Sequence, residues 1–170
     1  MILTRLLFLF RLLLITLVAG LAPVGVTSAA AAPSSSTAAS GTWATTSAVF
    51  NSTRMAGGTT IIDLTATVAY TGTFTGTSIV LGILIFHPDG SATFHDIETF
   101  TGTVNRKSGT VTLQLFGGAG SGGDYHGTQI IVRGTGDLAK LHGLLRQVGG
   151  VTDISKGPAG TYTGWLLTTA

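Results

Sequence analysis

From Glu98 to Gly143 the sequence has room only for strands and tight turns, and this run constrains the fold more than any other. Glu98 to Val104 alternates, a turn passes through residues 105–109, and Thr110 to Phe116 alternates again. A glycine-rich loop then leads to a strand from about Tyr125 to Arg133, and residues 134–143 read as a turn with a brief helical or bulged segment. Period-two alternation marks half-buried strands, because successive side chains point to opposite faces.

The same signature extends upstream. Ile62, Leu64, Ala66, Val68 and Tyr70 share one face of a strand, opposite Ile61, Asp63, Thr65, Thr67 and Ala69. Ile79 to Phe86 is apolar on both faces, so both faces are expected to be covered. His87-Pro-Asp-Gly90 is a hairpin turn, with Pro presetting φ and Asp-Gly closing it. On the return strand, Ala92, Phe94, Asp96, Glu98 and Phe100 fall on one side and His95, Ile97, Thr99 and Thr101 on the other. Lys107-Ser-Gly109 is read as the next turn. Residues 144–148 and 161–167 supply the last strands, and the first begins near Thr42. Asn51-Ser-Thr53 is formally a glycosylation sequon and otherwise a turn. The sum is about eight short antiparallel strands without a long helix, which fits a closed β-barrel, with a two-sheet sandwich as the alternative.

The start of the chain differs. Arg5 and Arg11 flank an apolar run, and small residues follow at Ser28 to Ala32. This is the pattern of a secretory signal peptide over residues 1–31, cut after Ala30 or Ala31. A retained membrane anchor is the alternative, but Arg11 leaves a run short of the ~20 residues a bilayer span needs. Residues 32–41 read as a flexible linker and residues 42–170 as the barrel domain. The implied location is secreted, periplasmic or in the cell envelope, with no membrane association after cleavage. Nine Lys plus Arg, less Arg5 and Arg11, leaves seven against seven Asp plus Glu, so the mature chain is neutral. A neutral chain without a basic cluster does not suit nucleic acid. No cysteine is present, so the core and the backbone ladder must hold the fold without disulfides.

The order of signals resembles a known family. Asp89-Gly90 is followed by Glu98-x-Phe100-x-Gly102, by Lys107-Ser-Gly109-x-Val-x-Leu-Gln114, and by Arg133-Gly-Thr-Gly-Asp-Leu-x-x-Leu-x-Gly143, with Tyr162 near the end. Together these resemble an uncharacterised bacterial family of domains of unknown function, itself similar to the allene oxide cyclase-like β-barrel. The resemblance covers most of the chain after about Gly41 and is most specific between Asp89 and Gly143. It implies an eight-stranded antiparallel barrel, with dimers or trimers common among relatives. It supplies no catalytic residues.

Candidate sites come from the residues themselves. If the face carrying Asp96 and Glu98 points inward, two carboxyls sit in an apolar barrel, and desolvation makes one of them a general acid. If it points outward they are ordinary solvated charges. Phe94, Phe100, Tyr125, Arg133 and Tyr162 are candidate ligand-binding residues, with Arg133 also a partner for the carboxyls. Trp43, Tyr70 and Trp165 would line a cavity or serve as core and rim. Gly118-x-Gly120-x-x-Gly123 matches a dinucleotide fingerprint only as a string, because a strand rather than a helix follows. The four histidines, His87, His95, His126 and His142, show no metal-ligand spacing, so no metal or cofactor is expected. Asp137 reads as a turn residue binding local backbone N–H groups. No Gly-x-Ser-x-Gly elbow supports a serine triad. The leading expectation is an exported barrel that binds a small apolar molecule. An isomerase or cyclase using Asp96 or Glu98, and a structural or interaction barrel with a filled core, are the alternatives. The doubly apolar strand from Ile79 to Phe86 points to a homo-oligomer.

Overall fold

The computed structural model describes residues 35–151 and 157–168. The expected signal peptide, residues 1–31, lies outside the described residues. Eight antiparallel strands follow one another around a closed ring. They are β1 (Ser35–Ala56), β2 (Thr59–Gly72), β3 (Phe74–Phe86), β4 (Ala92–Val104), β5 (Lys107–Ala119), β6 (Asp124–Gly134), β7 (Leu141–Gly150) and β8 (Ala159–Thr168). Every strand pairs with its sequence neighbours, and β8 returns to β1 through a ladder from Ser35–Thr168 to Ala44–Ala159. The all-β barrel is therefore the fold. Closure removes the free edges that a disulfide-free β protein must otherwise protect.

Residues 35–41 correct the linker expectation, since they form the first half of β1 and close the barrel against β8. Their Ser, Thr and Ala side chains give no apolar contrast to read. The strand is held by its ladder to residues more than a hundred positions away and by the inward Ala39. β1 also runs without interruption through Asn51, where the sequence suggested a turn. Its chain reverses only at Gly57-Gly58, and bulges between Thr45 and Ser47 and between Phe50 and Ser52 absorb the twist. The exposed Asn51 amide donates to Thr65 Oγ1 across the ladder at 2.9 Å.

The turn after β4 also differs from expectation. Val104 pairs with Lys107, so the loop is the two residues Asn105 and Arg106, both left-handed at φ 49° and 67°. Two successive positive φ values define the type I′ turn whose twist matches a hairpin. Gly109 lies inside β5, where a Cβ would come within 2.2 Å of the Thr135 carbonyl oxygen. Asn tolerates the left-handed region, whereas Arg does not, at about 1 kcal/mol or more. Arg106→Gly is expected to raise stability by up to about 1 kcal/mol in a urea melt, and Asn105→Val to lower it.

The inward phase of each strand builds the core: Ile62, Ala66, Val68 and Tyr70 from β2, Phe74 and Val80 from β3, Phe100 and Val104 from β4, and Leu145 and Leu166 from β7 and β8. One end is sealed. A 3-10 turn at Gly136–Leu138 sets the buried Leu138 over it, and Phe74, Phe100, Tyr70 and Tyr162 pack edge-on or tilted beneath, with ring centroids 5.2 to 6.4 Å apart. On the outward face of β3, Ile79, Leu81 and Ile83 are 51%, 58% and 40% exposed, so no described residue covers them.

Candidate functional site

The opposite end of the barrel is hollow. A cavity of about 400 Å³ opens there, walled by Trp43, Leu64, Ala66, Val68, Val80, Leu84, Phe94, Leu115 and Tyr125. At the rim lie Phe50, Phe86, Val151 and Pro158. Beyond Ala44, β1 leaves β8 and pairs with β2 alone, and one hydrogen bond from Thr45 N–H to the Pro158 carbonyl (3.0 Å) holds the parting point. A second depression of about 430 Å³ lies outside the sealed end, over Val104, Leu138, Leu141 and Leu166. Among the described residues none of its lining carries an unpaired buried polar atom, so the chemistry belongs to the hollow end.

The alternation of β4 places Asp96 and Glu98 on the inward face, and both line the cavity. Glu98 is wholly buried and Asp96 is 9% exposed. Asp96 rests in a notch left by its cross-strand partner Gly82, where a Cβ would stand 1.9 Å from Asp96 Oδ1. Beside Glu98, a polar network crosses the barrel. Gln129 Nε2 donates to Glu98 Oε2 and to the Tyr70 hydroxyl, Gln147 Nε2 donates to the same hydroxyl at 3.0 Å, and the Tyr125 hydroxyl donates to Gln147 Oε1 at 3.2 Å. Trp43 and Phe94 flank Tyr125, each with ring centroids 4.8 Å from it, and Phe94 is stacked nearly parallel.

Electrostatics follow from burial. Burial, helped by the negative charge of Glu98, pushes Asp96 from its ordinary 3.8 up to about 7. Burial also raises Glu98, although Ser78, Tyr70 and Gln129 pull it part of the way back. Asp96 Oδ1 and Gln129 Oε1 nevertheless stand buried without a hydrogen-bond partner, and Ser78 Oγ and Glu98 Oε1, though close enough to influence each other, make no hydrogen bond of good geometry. Tyr70 and Tyr125 are held well above the ordinary tyrosine range, chiefly by burial, and stay neutral. No Lys, Arg or His lines the cavity among the described residues, and none of them forms a group of three or more His, Asp or Glu placed to hold a metal ion.

Six of the residues singled out from the sequence meet at this cavity: Trp43, Tyr70, Phe94, Asp96, Glu98 and Tyr125. Phe100 and Tyr162 instead belong to the sealed aromatic end. Arg133 is exposed and does not approach the carboxyls. Simple alternation from Gln129 and Ile131 would aim it inward. A bulge opposite Thr112 and Leu113 inserts Val132 and turns Arg133 out. Gln129 and Gln147 escaped sequence reasoning. Their one signal is that each occupies the apolar phase of its strand, in step with Ile131 and with Leu145.

Comparison with known proteins bears on family and fold. No curated protein matches the chain. A crystal structure of a protein of unknown function from the DUF3224 family of Shewanella oneidensis MR-1 superposes with a TM-score of 0.59 at 19% identity, covering 80% of this chain and 100% of the other. That identity speaks for the fold alone. The family model described as a protein of unknown function (DUF3224) matches residues 39–151, from near the start of β1 to just past the end of β7. The chain belongs to the DUF3224 family.

Proposed function

We propose that this is an exported barrel that holds a small, largely apolar molecule in its hollow end. The observation that carries the reading is the division of one barrel into a sealed aromatic half and an open cavity of about 400 Å³ with apolar walls. That volume falls in the usual range for small-ligand sites, and such sites pair apolar walls with a few aimed polar groups. The signal-like start of the chain supports export.

A second reading, an isomerase or cyclase acting on such a molecule, is favoured by one feature. Asp96 titrates near neutrality in a desolvated cavity, so it can hold or give up a proton at physiological pH. Native mass spectrometry of protein from its own host separates the two. A retained molecule that leaves unchanged marks a binder, and one that leaves altered marks an enzyme. Ala66→Phe serves as the control, because it projects a ring into the cavity from β2. It is expected to weaken a neutral naphthalene probe at least tenfold while the protein stays folded by circular dichroism. Undiminished probe binding in Ala66→Phe would remove the cavity from the reading.

A further inference from the structure

The floor of the cavity is chemically one-sided. Asp96 and Glu98, which line it, each present a buried carboxyl oxygen without a hydrogen-bond partner, Asp96 Oδ1 and Glu98 Oε1, and Gln129, hydrogen-bonded to Glu98, adds a third such oxygen just outside the lining. Glu98 and Gln129 are fully buried, and Gln129 spends its amide donors on Glu98 and Tyr70. The two carboxyls are two positions apart on β4 and therefore project to the same side. Buried oxygens in such a place call for a donor.

The candidate donors can be compared by chemistry. A hydrocarbon leaves the oxygens unpaired. An anion adds repulsion to two carboxyls. A divalent metal would require more hard ligands than the described residues gather here. A primary ammonium brings three N–H donors and a positive charge that no described side chain lining the cavity supplies. Trp43, Phe94 and Tyr125 line the same cavity as the carboxyls, and aromatic rings also favour a cation.

We infer that the cavity selects a molecule with an apolar body and a primary ammonium head, seated on Asp96 and Glu98. The inference rests on the reading of the cavity as a ligand site and names the ligand's chemical class. The head would pair with a carboxylate, so a carboxyl that was neutral before binding gives its proton to solvent. The titratable groups facing the pair are each other, Tyr70 from β2 and Tyr125 from β6. Both tyrosines remain neutral throughout.

The test uses three probes with one body and different heads: octylamine, 1-octanol and octanoate, titrated calorimetrically against the purified protein at pH 7. Octylamine is expected to bind at least about tenfold tighter than octanol, the gain of a charge-assisted hydrogen bond, and octanoate weakest. In Glu98→Gln the octylamine-to-octanol ratio should fall toward one. Should that variant not fold, titration of the wild type in two buffers of different ionisation enthalpy gives an independent readout. Proton release accompanying octylamine but not octanol supports the inference. Equal or tighter binding of octanol or octanoate overturns it and leaves the cavity reading standing. Binding of none of the three overturns the cavity reading and the inference with it.

Discussion

Asp96→Asn is expected to stabilise the empty protein at pH 8 by up to about 4 kcal/mol and to flatten its stability profile between pH 4 and 8. The sign follows from burial. The carboxyl titrates near 3.8 when unfolded and about 7 when folded, so between those values the folded state keeps a proton that the unfolded state has lost. Stability is complete below pH 4 as far as this group is concerned, declines as pH rises, and is lowest above pH 7. Three pKa units at 1.36 kcal/mol each give the magnitude. Glu98 is raised as well and adds a change of the same sign, so the observed midpoint belongs to the pair. Urea melts of wild type and Asp96→Asn from pH 4 to 9 check this. Parallel curves, with no convergence at the acid end, would rule out a proton held by Asp96 in the folded state. A bound ammonium reverses the penalty, because it makes the charged carboxyl the favoured form.

Tyr162→Ala is expected to cost on the order of 5 kcal/mol, enough to unfold a domain of ordinary stability. The ring is 1% exposed and packs edge-on against Phe74 and Tyr70. Its hydroxyl accepts from the Phe74 N–H at 2.8 Å and donates to the Thr71 carbonyl at 3.0 Å, pinning the turn between β2 and β3 to β8. Gly41 makes room for that reach, since a Cβ there would stand 2.5 Å from the hydroxyl. Truncation removes a large buried ring and leaves a backbone N–H and C=O without partners, two penalties that add. Tyr162→Phe isolates the second and should cost about 1–3 kcal/mol. Equilibrium denaturation of both variants gives the two figures. A loss in Tyr162→Phe as large as in Tyr162→Ala would mean that the hydroxyl, and not the ring, carries the contribution.

Much of the barrel was legible because its strands carry their own contrast. Ile62 to Tyr70 alternates cleanly and is half-buried as read, and His87-Pro-Asp-Gly90 turns where its residues demand, with Gly90 N–H donating to the His87 carbonyl at 3.0 Å. What stayed hidden was set by partners distant in sequence. Residues 35–41 become a strand only because β8 lies beside them. Gly109 resembles a turn glycine and is instead a packing glycine under Thr135 and Leu138. At the site, alternation grouped Asp96 and Glu98 with Phe94 and Phe100 but left open which way that face points, because both phases of β4 mix polar and apolar residues. Arg133 was misdirected by one inserted residue.

The division of the barrel into a sealed half and a hollow half has a consequence for how such a protein can change over generations. Phe74, Phe100, Leu138 and Tyr162 anchor the fold away from Leu64, Ala66, Leu84 and Leu115, which shape the cavity. Substitutions at the second set can remould the chamber while the first set keeps the ring closed. A lineage built on this scaffold is free to explore new occupants through the lining of one end, with its capacity to fold insulated at the other.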